Sequence, residues 1–597
     1  MCGITGMAAF QGVSPPTLAQ LSRMCDTLIH RGPDQAGMHI SEGVALGMRR
    51  LAILDLNGGQ QPIFNETRTI LTVFNGEIYN FRELRQTLQT LGHTFTTQTD
   101  TEVIVHAYEE YGIDFPQYLN GMFAIALHDT VQKKLVLVRD HLGIKPLYYA
   151  LSDDAIIWGS EIKAILASGR VERSLNLNAL GEFLAWEYVP CPATLFRGIR
   201  KLEPASLLEI DLVRAKTTQR VFWDIPPSLD NTFCTDADWE ERVAAQLHRS
   251  VQRQLVSDVP LGAFLSGGVD SSLVTAAMGS SKTFSIGFAD KSYNELQWAQ
   301  KVAAHLALEH IDAMLTPNAL DLFEHLMQFM DDPIGDSSIF PTYLVSQLAR
   351  QHVTVVLSGD GGDELFGGYE TYLANDTARL YRKLPAIFCN QWVAPALQSL
   401  KPQSQKKGVI NKAKRFLEGL EYPETLGHTR WRIFAGAALQ SALFTEDVQQ
   451  TLRPPLETHI ETLFQQAGDR SALDRGLYVD VKSYLSDNIL LKVDRMSMAN
   501  SLEARVPYLD PDLVTLAFQV PERLKVHRGK TKVLLKAIAA KQIPRDCVYR
   551  PKEGFSSPIK QWLKAEFRDL MQDHLNPTQI QQQGIFQTST IERLSKE

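Results

Sequence analysis

A thiol, a side-chain amide and a carboxylate can together hydrolyse a carboxamide, and the first hundred residues hold all three. The chain begins Met-Cys-Gly-Ile, so removal of the initiator methionine places the α-amino group on Cys2 itself. An α-amine titrates at roughly 7.7–8.0, so about a fifth is neutral near pH 7.2, against under about one in a thousand for a lysine. Such an amine can take the proton of its own thiol, and the thiolate can attack a carboxamide through a thioester with release of ammonia. "MRRLAILD" supplies Arg49 and Arg50, one of which could clamp a ligand carboxylate bidentately. "FNGEIYN" supplies the Asn75 amide and the Gly76 backbone N–H for a developing oxyanion, and "TQTDTE" supplies Asp100 for an ammonium group. Together they describe a site for glutamine.

A second constellation lies far downstream. "LGAFLSGGVDSSLV" reads as an apolar strand, a glycine turn and a helix whose first turn carries Asp270, Ser271 and Ser272. Free N–H groups and the helix dipole make such a start an anion site, and Gly267 and Gly268 let the backbone approach a phosphate. There is no GxxxxGK[ST] pattern. "TVVLSGDGGDELFGGY" repeats the strand-and-turn arrangement with Asp360, Asp363 and Glu364. Asp270 and Asp363 are suitable magnesium ligands, since that ion is usually held by one or two carboxylates plus substrate phosphates.

The elements that must position these groups follow from patterning. To about residue 210 the chain reads as short apolar strands ("LTVFNGEIYN", "MFAIALHDT", "KLVLVRD", "LYYAL", "AIIWGSE") with two helical stretches, near 15–30 and 101–111. The spacing predicts packed sheets with helices outside over residues 2–210. The polar stretch 211–238, with Pro226 and Pro227, reads as a linker. Over 239–597 strands first alternate with helices, the pattern of a parallel α/β sheet, and from about 375 the text is mostly helical.

With 597 residues the chain exceeds what one hydrophobic core serves, so two or three domains are expected. Acidic residues number 68 and basic ones 60, without a long basic run, which argues against a nucleic-acid or anionic-membrane surface. No stretch approaches the roughly 20 apolar residues of a membrane span, and a signal peptide is not expected, so the reading is cytoplasmic. Cys2, Cys25, Cys191, Cys234, Cys389 and Cys547 lack metal-ligand or disulfide-framework spacing.

SGGVDSS resembles the pyrophosphatase loop of enzymes that form acyl adenylates. "MCGI", "HRGPD", "RRLAILDL", "FNGEIYN", "DTEV", "RDHLGIKPLYY" and "GSEIKA" resemble the class II glutamine amidotransferase domain, an N-terminal nucleophile hydrolase. With SGDGGDE and "LLKVDRMSMANSLEARVPYLD" they make the chain, from residue 2 to about 560, resemble the glutamine-hydrolysing asparagine synthetases. The resemblance implies an N-terminal four-layer αββα sandwich and a C-terminal ATP-pyrophosphatase domain with a helical end. It implies Cys2 as nucleophile, with Arg50, Leu51, Asn75, Gly76, Glu77 and Asp100 around glutamine. It further implies Leu265, Ser266, Gly267, Gly268, Asp270, Ser271, Ser272, Ile286, Ser358 and Gly359 as ATP contacts, Asp270 and Asp363 as Mg2+ ligands, and Lys532 beside the departing pyrophosphate.

The implied reaction adenylates a carboxylate with Mg-ATP and amidates it with ammonia passed through an interdomain tunnel. Partners would be glutamine, ATP and aspartate, with a homodimer as the assembly to test. Two departures limit what the resemblance carries over, and the second bears on the acceptor. Asp360 stands where relatives carry a glutamate that assists attack, and Asp336 in "DDPIGDSSIF" lies near where some relatives carry a substrate-binding arginine. The rival reading keeps the mechanism and amidates another carboxylate, such as a cell-wall or surface-polysaccharide precursor. A regulatory protein with decayed sites is disfavoured, because Cys2, Asn75, Asp100, Asp270 and Asp363 are all present.

Overall fold

A computed structural model describes residues 2–596 except 11, 228–233, 289–293, 317, 384, 386–393, 401–407, 453–456, 552–553 and 555–556. The N-terminal half is built on two six-stranded sheets. One holds β1 (Cys2–Ala9), β2 (Gln35–Ser41), β3 (Val44–Arg50), β8 (Tyr148–Leu151), β9 (Ala155–Gly159) and β10 (Ile199–Lys201), in the order β10-β8-β9-β1-β3-β2. The other holds β4 (Ile63–Phe64), β5 (Ile70–Ile78), β6 (Gly121–Asp129), β7 (Lys134–Arg139), β11 (Ser206–Asp211) and β12 (Lys216–Val221), in the order β12-β11-β7-β6-β5-β4.

Strand alternation puts one face of each sheet into a shared apolar layer, where Ile4, Ala8, Val44, Leu46 and Met48 meet Leu71, Val73, Ala124, Ala126 and Leu137. The outer face of the first sheet packs on the helices Leu18–Asp26 and Ile162–Leu166. The outer face of the second takes the helices Phe81–Thr90 and Glu102–Tyr111. This is the expected αββα sandwich. The Leu18–Asp26 helix starts with a capping box between Thr17 and Gln20, which satisfies donors the helix itself leaves open.

The expected strands and both expected helices are present, but Phe81–Thr90, Ile162–Leu166 and Leu177–Trp186 are helices that the pattern reading missed. The stretch 211–238 is not wholly a linker. Lys216–Val221 pairs antiparallel with β11, and its mostly exposed residues mark a sheet edge, which is why its polar composition misled.

The C-terminal half has a parallel sheet of β13 (Leu261–Phe264), β14 (Lys282–Phe288), β15 (Glu309–Leu315), β16 (Val355–Leu357) and β17 (Glu503–Arg505), ordered β15-β14-β13-β16-β17. The two glycine turns follow β13 and β16, which are neighbours, so both open at the carboxyl edge of one sheet where ligand crevices form. Most of the later chain is helical. One continuous helical run covers Ala472–Met498, and its central residues Val481–Leu490 wind as π-helix. Cys2, Cys25, Cys191 and Cys547 are buried, Cys234 is half-buried, and all five are free thiols; Cys389 lies outside the described residues. Among the described residues no helix is long and apolar enough to cross a membrane.

Candidate functional site

Alternation along three strands assembles the first site. Cys2 opens β1 and lies opposite Arg50 of β3, and Asn75 and Glu77 share a face of β5 with Leu71 and Val73. All four side chains therefore project from the facing surfaces of the two sheets. The same alternation turns Arg49 outward, where it pairs with Asp26 and the Cys25 carbonyl. Of the two arginines, only Arg50 belongs to the site.

The Cys2 backbone nitrogen, which becomes the α-amine when Met1 is removed, donates to Asn75 Oδ1 at 2.9 Å. With Oδ1 so committed, Asn75 Nδ2 is left buried without a hydrogen-bond partner among the described residues. A buried donor with nothing to donate to is costly, and it suits an oxyanion that arrives only during reaction. Gly76 cannot be another residue, because a Cβ would lie 1.9 Å from the Met122 carbonyl oxygen. Burial pushes the Cys2 thiol up, and the Leu51 N–H and Arg50 charge offset only part of that, so the thiol waits for a base.

The Arg50 guanidinium is held by the loop after β3. It donates to the carbonyls of Leu54 and Asp55, both at 2.8 Å, and to Gln35 Oε1 at 2.8 Å. Nε is the guanidinium nitrogen with no partner among the described residues. In this conformation the loop carbonyls and Gln35 occupy the terminal N–H groups of Arg50. Asp100 accepts from the Ile78 N–H at 2.8 Å and from the Thr99 hydroxyl at 3.1 Å, yet burial raises its carboxyl to about 6. Glu77 is pushed well up by burial and by Glu503 and Asp100, with Arg505 as a 3.5 Å counter-charge.

The second site is a cavity of about 440 Å³ at the carboxyl ends of β13 and β16. Leu265, Ser266, Gly268, Asp270, Ser271, Ile286, Ser358, Gly359, Asp360, Asp363 and Lys532 line it, as do Asp336 and Lys492. Gly267 and Ser272 do not. Gly267, at φ +71°, makes the turn that lets the loop pack on the helix Leu296–His305, and Ser272 is buried in the helix beneath the loop. The loop is braced internally, with Ser271 Oγ accepting from the Ser266 N–H at 3.2 Å. The two loops interlock, since a Cβ on Gly359 would lie 2.7 Å from the Ser271 nitrogen.

Lys532 bridges Asp270 and Asp363. Burial opposes its charge, but the two carboxylates more than offset that and hold the ammonium charged. Two hard oxygen donors that converge on one cation at the wall of this cavity fit a magnesium ion. Asp360 accepts from the Ser358 hydroxyl at 2.6 Å, and burial raises its carboxyl.

Comparison with known proteins agrees with both halves. The glutamine amidotransferase domain model matches residues 1–223 and the asparagine synthase model matches residues 242–597. Asparagine synthetase [glutamine-hydrolyzing] 1 of Bacillus subtilis (strain 168) is 32% identical over 97% of this chain and 90% of its own length. The chain belongs to the glutamine-hydrolysing asparagine synthetase family. Asparagine synthetase [glutamine-hydrolyzing] 3 of the same organism is 30% identical over 95% of this chain and 90% of its own length. The Zea mays asparagine synthetase [glutamine-hydrolyzing] is 34% identical over 62% of this chain and 60% of its own length.

What sequence reasoning missed in this asparagine synthetase-family chain lies between its two sites. Asp336, read as a departure, pairs with Lys492 at 2.8 Å, and Lys492 also donates to Ser338 Oγ at 2.7 Å. The cation of that corner is thus supplied from "LLKVDRMSM". A lysine inside an apolar helical run was the available signal. Two residues on, Asp494 takes both terminal nitrogens of Arg31, at 2.7 and 3.0 Å. Arg31 in turn donates Nε to the Cys2 carbonyl at 3.1 Å and Nη1 to Glu161 at 3.0 Å. A second bridge runs from Glu77 through Arg505 to Glu503 of β17.

Proposed function

We propose that the protein converts aspartate, glutamine and ATP to asparagine, glutamate, AMP and pyrophosphate. The Cys2 amine, held at Asn75 Oδ1, takes the thiol proton, and the thiolate attacks the glutamine carboxamide. Asn75 Nδ2 and the Gly76 N–H receive the oxyanion, Asp100 holds the substrate ammonium, and Arg50 meets its carboxylate through Nε. The amine returns the proton to departing ammonia, and water then cleaves the thioester to glutamate.

In the second cavity the backbone of Ser266, Gly268, Asp270 and Ser271 cradles the phosphates, with Leu265 and Ile286 on the adenine side. Lys492 takes a carboxylate of the acceptor, whose other carboxylate attacks the α-phosphorus and expels pyrophosphate. Lys532 moves from its two aspartates to the pyrophosphate. Asp270 and Asp363 would hold magnesium, which when bound neutralises charge on the leaving group. Asp360, kept basic by burial, takes a proton from ammonia as it attacks the acyl adenylate. Ammonia has to arrive unprotonated, because the ammonium ion has no lone pair to attack with.

The observation that carries this reading is that one helix, Leu491–Met498, serves both sites. It presents Lys492 to the ATP-side cavity and, through Asp494 and Arg31, fixes the Cys2 carbonyl. The test is to incubate pure protein with glutamine, Mg-ATP and candidate acceptors and to follow pyrophosphate and product mass. Aspartate-dependent pyrophosphate and asparagine are expected. Pyrophosphate with another carboxylate and none with aspartate would overturn the choice of acceptor.

A further inference from the structure

On the outer layer of the N-terminal half, four side chains from three separate segments converge. Glu66 lies in the turn after β4, His93 in the turn after the helix Phe81–Thr90, and His106 and Glu109 on the helix Glu102–Tyr111. Each offers one ligand atom within 4.8 Å of all the others. His106 Nδ1 is 3.1 Å from Glu109 Oε2 and 3.4 Å from Glu66 Oε2. His93 Nδ1 is 3.7 Å from Glu109 Oε2 and 4.0 Å from Glu66 Oε1. A tetrahedron with metal–ligand bonds of about 2.0–2.1 Å has ligand atoms about 3.3 Å apart, so the four ligand atoms, within 4.8 Å of one another here, would draw in by up to about 1.5 Å around an ion.

We infer that Glu66, His93, His106 and Glu109 form a tetrahedral binding site for a zinc-type divalent cation, apart from both catalytic sites.

Three observations support it. Both imidazoles turn Nδ1 to the cluster, and a carboxylate outside it stands behind each ring beyond hydrogen-bond distance: His106 Nε2, buried without a hydrogen-bond partner among the described residues, lies 3.9 Å from Glu102 Oε1, and His93 Nε2 lies 3.5 Å from Glu110 Oε2. Metal-bound histidines characteristically have such a carboxylate behind the ring, where it fixes the tautomer and the ring orientation. The carboxylates are themselves held. Glu109 Oε1 accepts from Asn65 Nδ2 at 2.8 Å, and Glu66 Oε1 accepts from the Thr94 N–H at 2.7 Å. Finally, the burial is graded. The His106 side chain is 0% exposed, His93 14%, Glu109 23% and Glu66 33%, so the carboxylates leave an entry path from solvent. Two imidazoles with two carboxylates suit zinc, whereas magnesium and calcium prefer oxygen alone.

Such an ion would join two turns to the helix that begins just after Asp100, bracing the wall of the glutamine site from behind. It touches none of the residues given catalytic roles above.

The experiment uses full-length Cys2→Ala protein stripped by chelator, to remove the reactive thiol as a competing ligand. Zinc sulfate is titrated against a chromophoric chelator, and Co2+ is used as a spectroscopic probe of tetrahedral coordination. One equivalent should bind in competition with the chelator, with intense d–d absorption in the Co2+ form. Adding His93→Gln should abolish that equivalent and the absorption. Adding Glu110→Gln, at a partly exposed position where folding is safe, should weaken binding by about 10- to 100-fold. Failure of the stripped protein to take up zinc, or equal uptake by the parent and both variants, would overturn the inference. Circular dichroism of each metal-free variant establishes that loss of binding is not loss of fold.

Discussion

Replacing Arg31 by methionine removes the group that ties Cys2 to the synthetase half, and its consequences can be worked from four distances. The guanidinium is fully buried and donates to the Cys2 carbonyl at 3.1 Å, to Glu161 at 3.0 Å and to Asp494 at 2.7 and 3.0 Å. Burial would raise both carboxyls, but Arg31 draws Asp494 below the usual range, and Arg495 and His30 do the same for Glu161. Methionine leaves Asp494 buried with Lys145, 3.8 Å away, and Arg495 as the remaining nearby cations. Breaking a buried pair from one side costs about 3–5 kcal/mol, which lowers a domain's unfolding midpoint by on the order of 10 °C.

Removing Asp494 at the same time takes away the uncompensated charge, so Arg31→Met with Asp494→Leu should recover much of that loss. Calorimetry reads the stability. Parallel assays with glutamine and with ammonium chloride read function, and the single variant should lose glutamine-dependent synthesis more than ammonia-dependent synthesis. High salt should change none of this, because a buried network is poorly screened. If Arg31→Met melts within about 2 °C of the parent and both nitrogen sources still support synthesis in the original ratio, the coupling role is wrong.

Cys2→Ala should abolish glutamine use and spare ammonia-dependent synthesis, and survival of glutamine-dependent product would refute the terminal thiol. Asn75→Ala should lower glutaminase kcat by about 100- to 1,000-fold, the usual loss for an oxyanion donor, with a smaller change in KM. Lys492→Met should raise the KM for aspartate roughly 10- to 100-fold, the worth of a charged hydrogen bond, while glutaminase activity persists. The Asp100 carboxyl ionises near pH 6 in the free protein and must be charged to hold the substrate ammonium. Glutaminase kcat/KM should therefore fall as pH drops through about 6, and Asp100→Asn should remove that inflection and be slow throughout.

Most of the chemistry was legible because it sits in local runs. Asn75, Gly76 and Glu77 are adjacent, and the first phosphate loop is seven residues, whereas the choice between Arg49 and Arg50 needed the course of β3 itself. The groups that join the halves were not legible. Arg31 and Asp494 are 463 positions apart, and nothing in either segment announces the other. β17 is three residues long, too short to show a period, yet it closes the parallel sheet and delivers Arg505 to Glu77. The polar text of 211–238 hid an edge strand for a similar reason: its outward residues face water, so composition alone could not separate strand from linker.

The helix that carries Lys492 and Asp494 has one more consequence. Two residues along an α-helix turn the side chain through about 200°, so these neighbours point to nearly opposite sides. The helix is therefore a partition, with the adenylating chamber on one side and the amide-cleaving chamber on the other. One residue inserted or deleted between Lys492 and Asp494 would rotate one of them by about 100° and strand it away from its own chamber. The spacing of those two residues thus fixes the relative orientation of two chemistries, and neither chamber can be re-registered without the other.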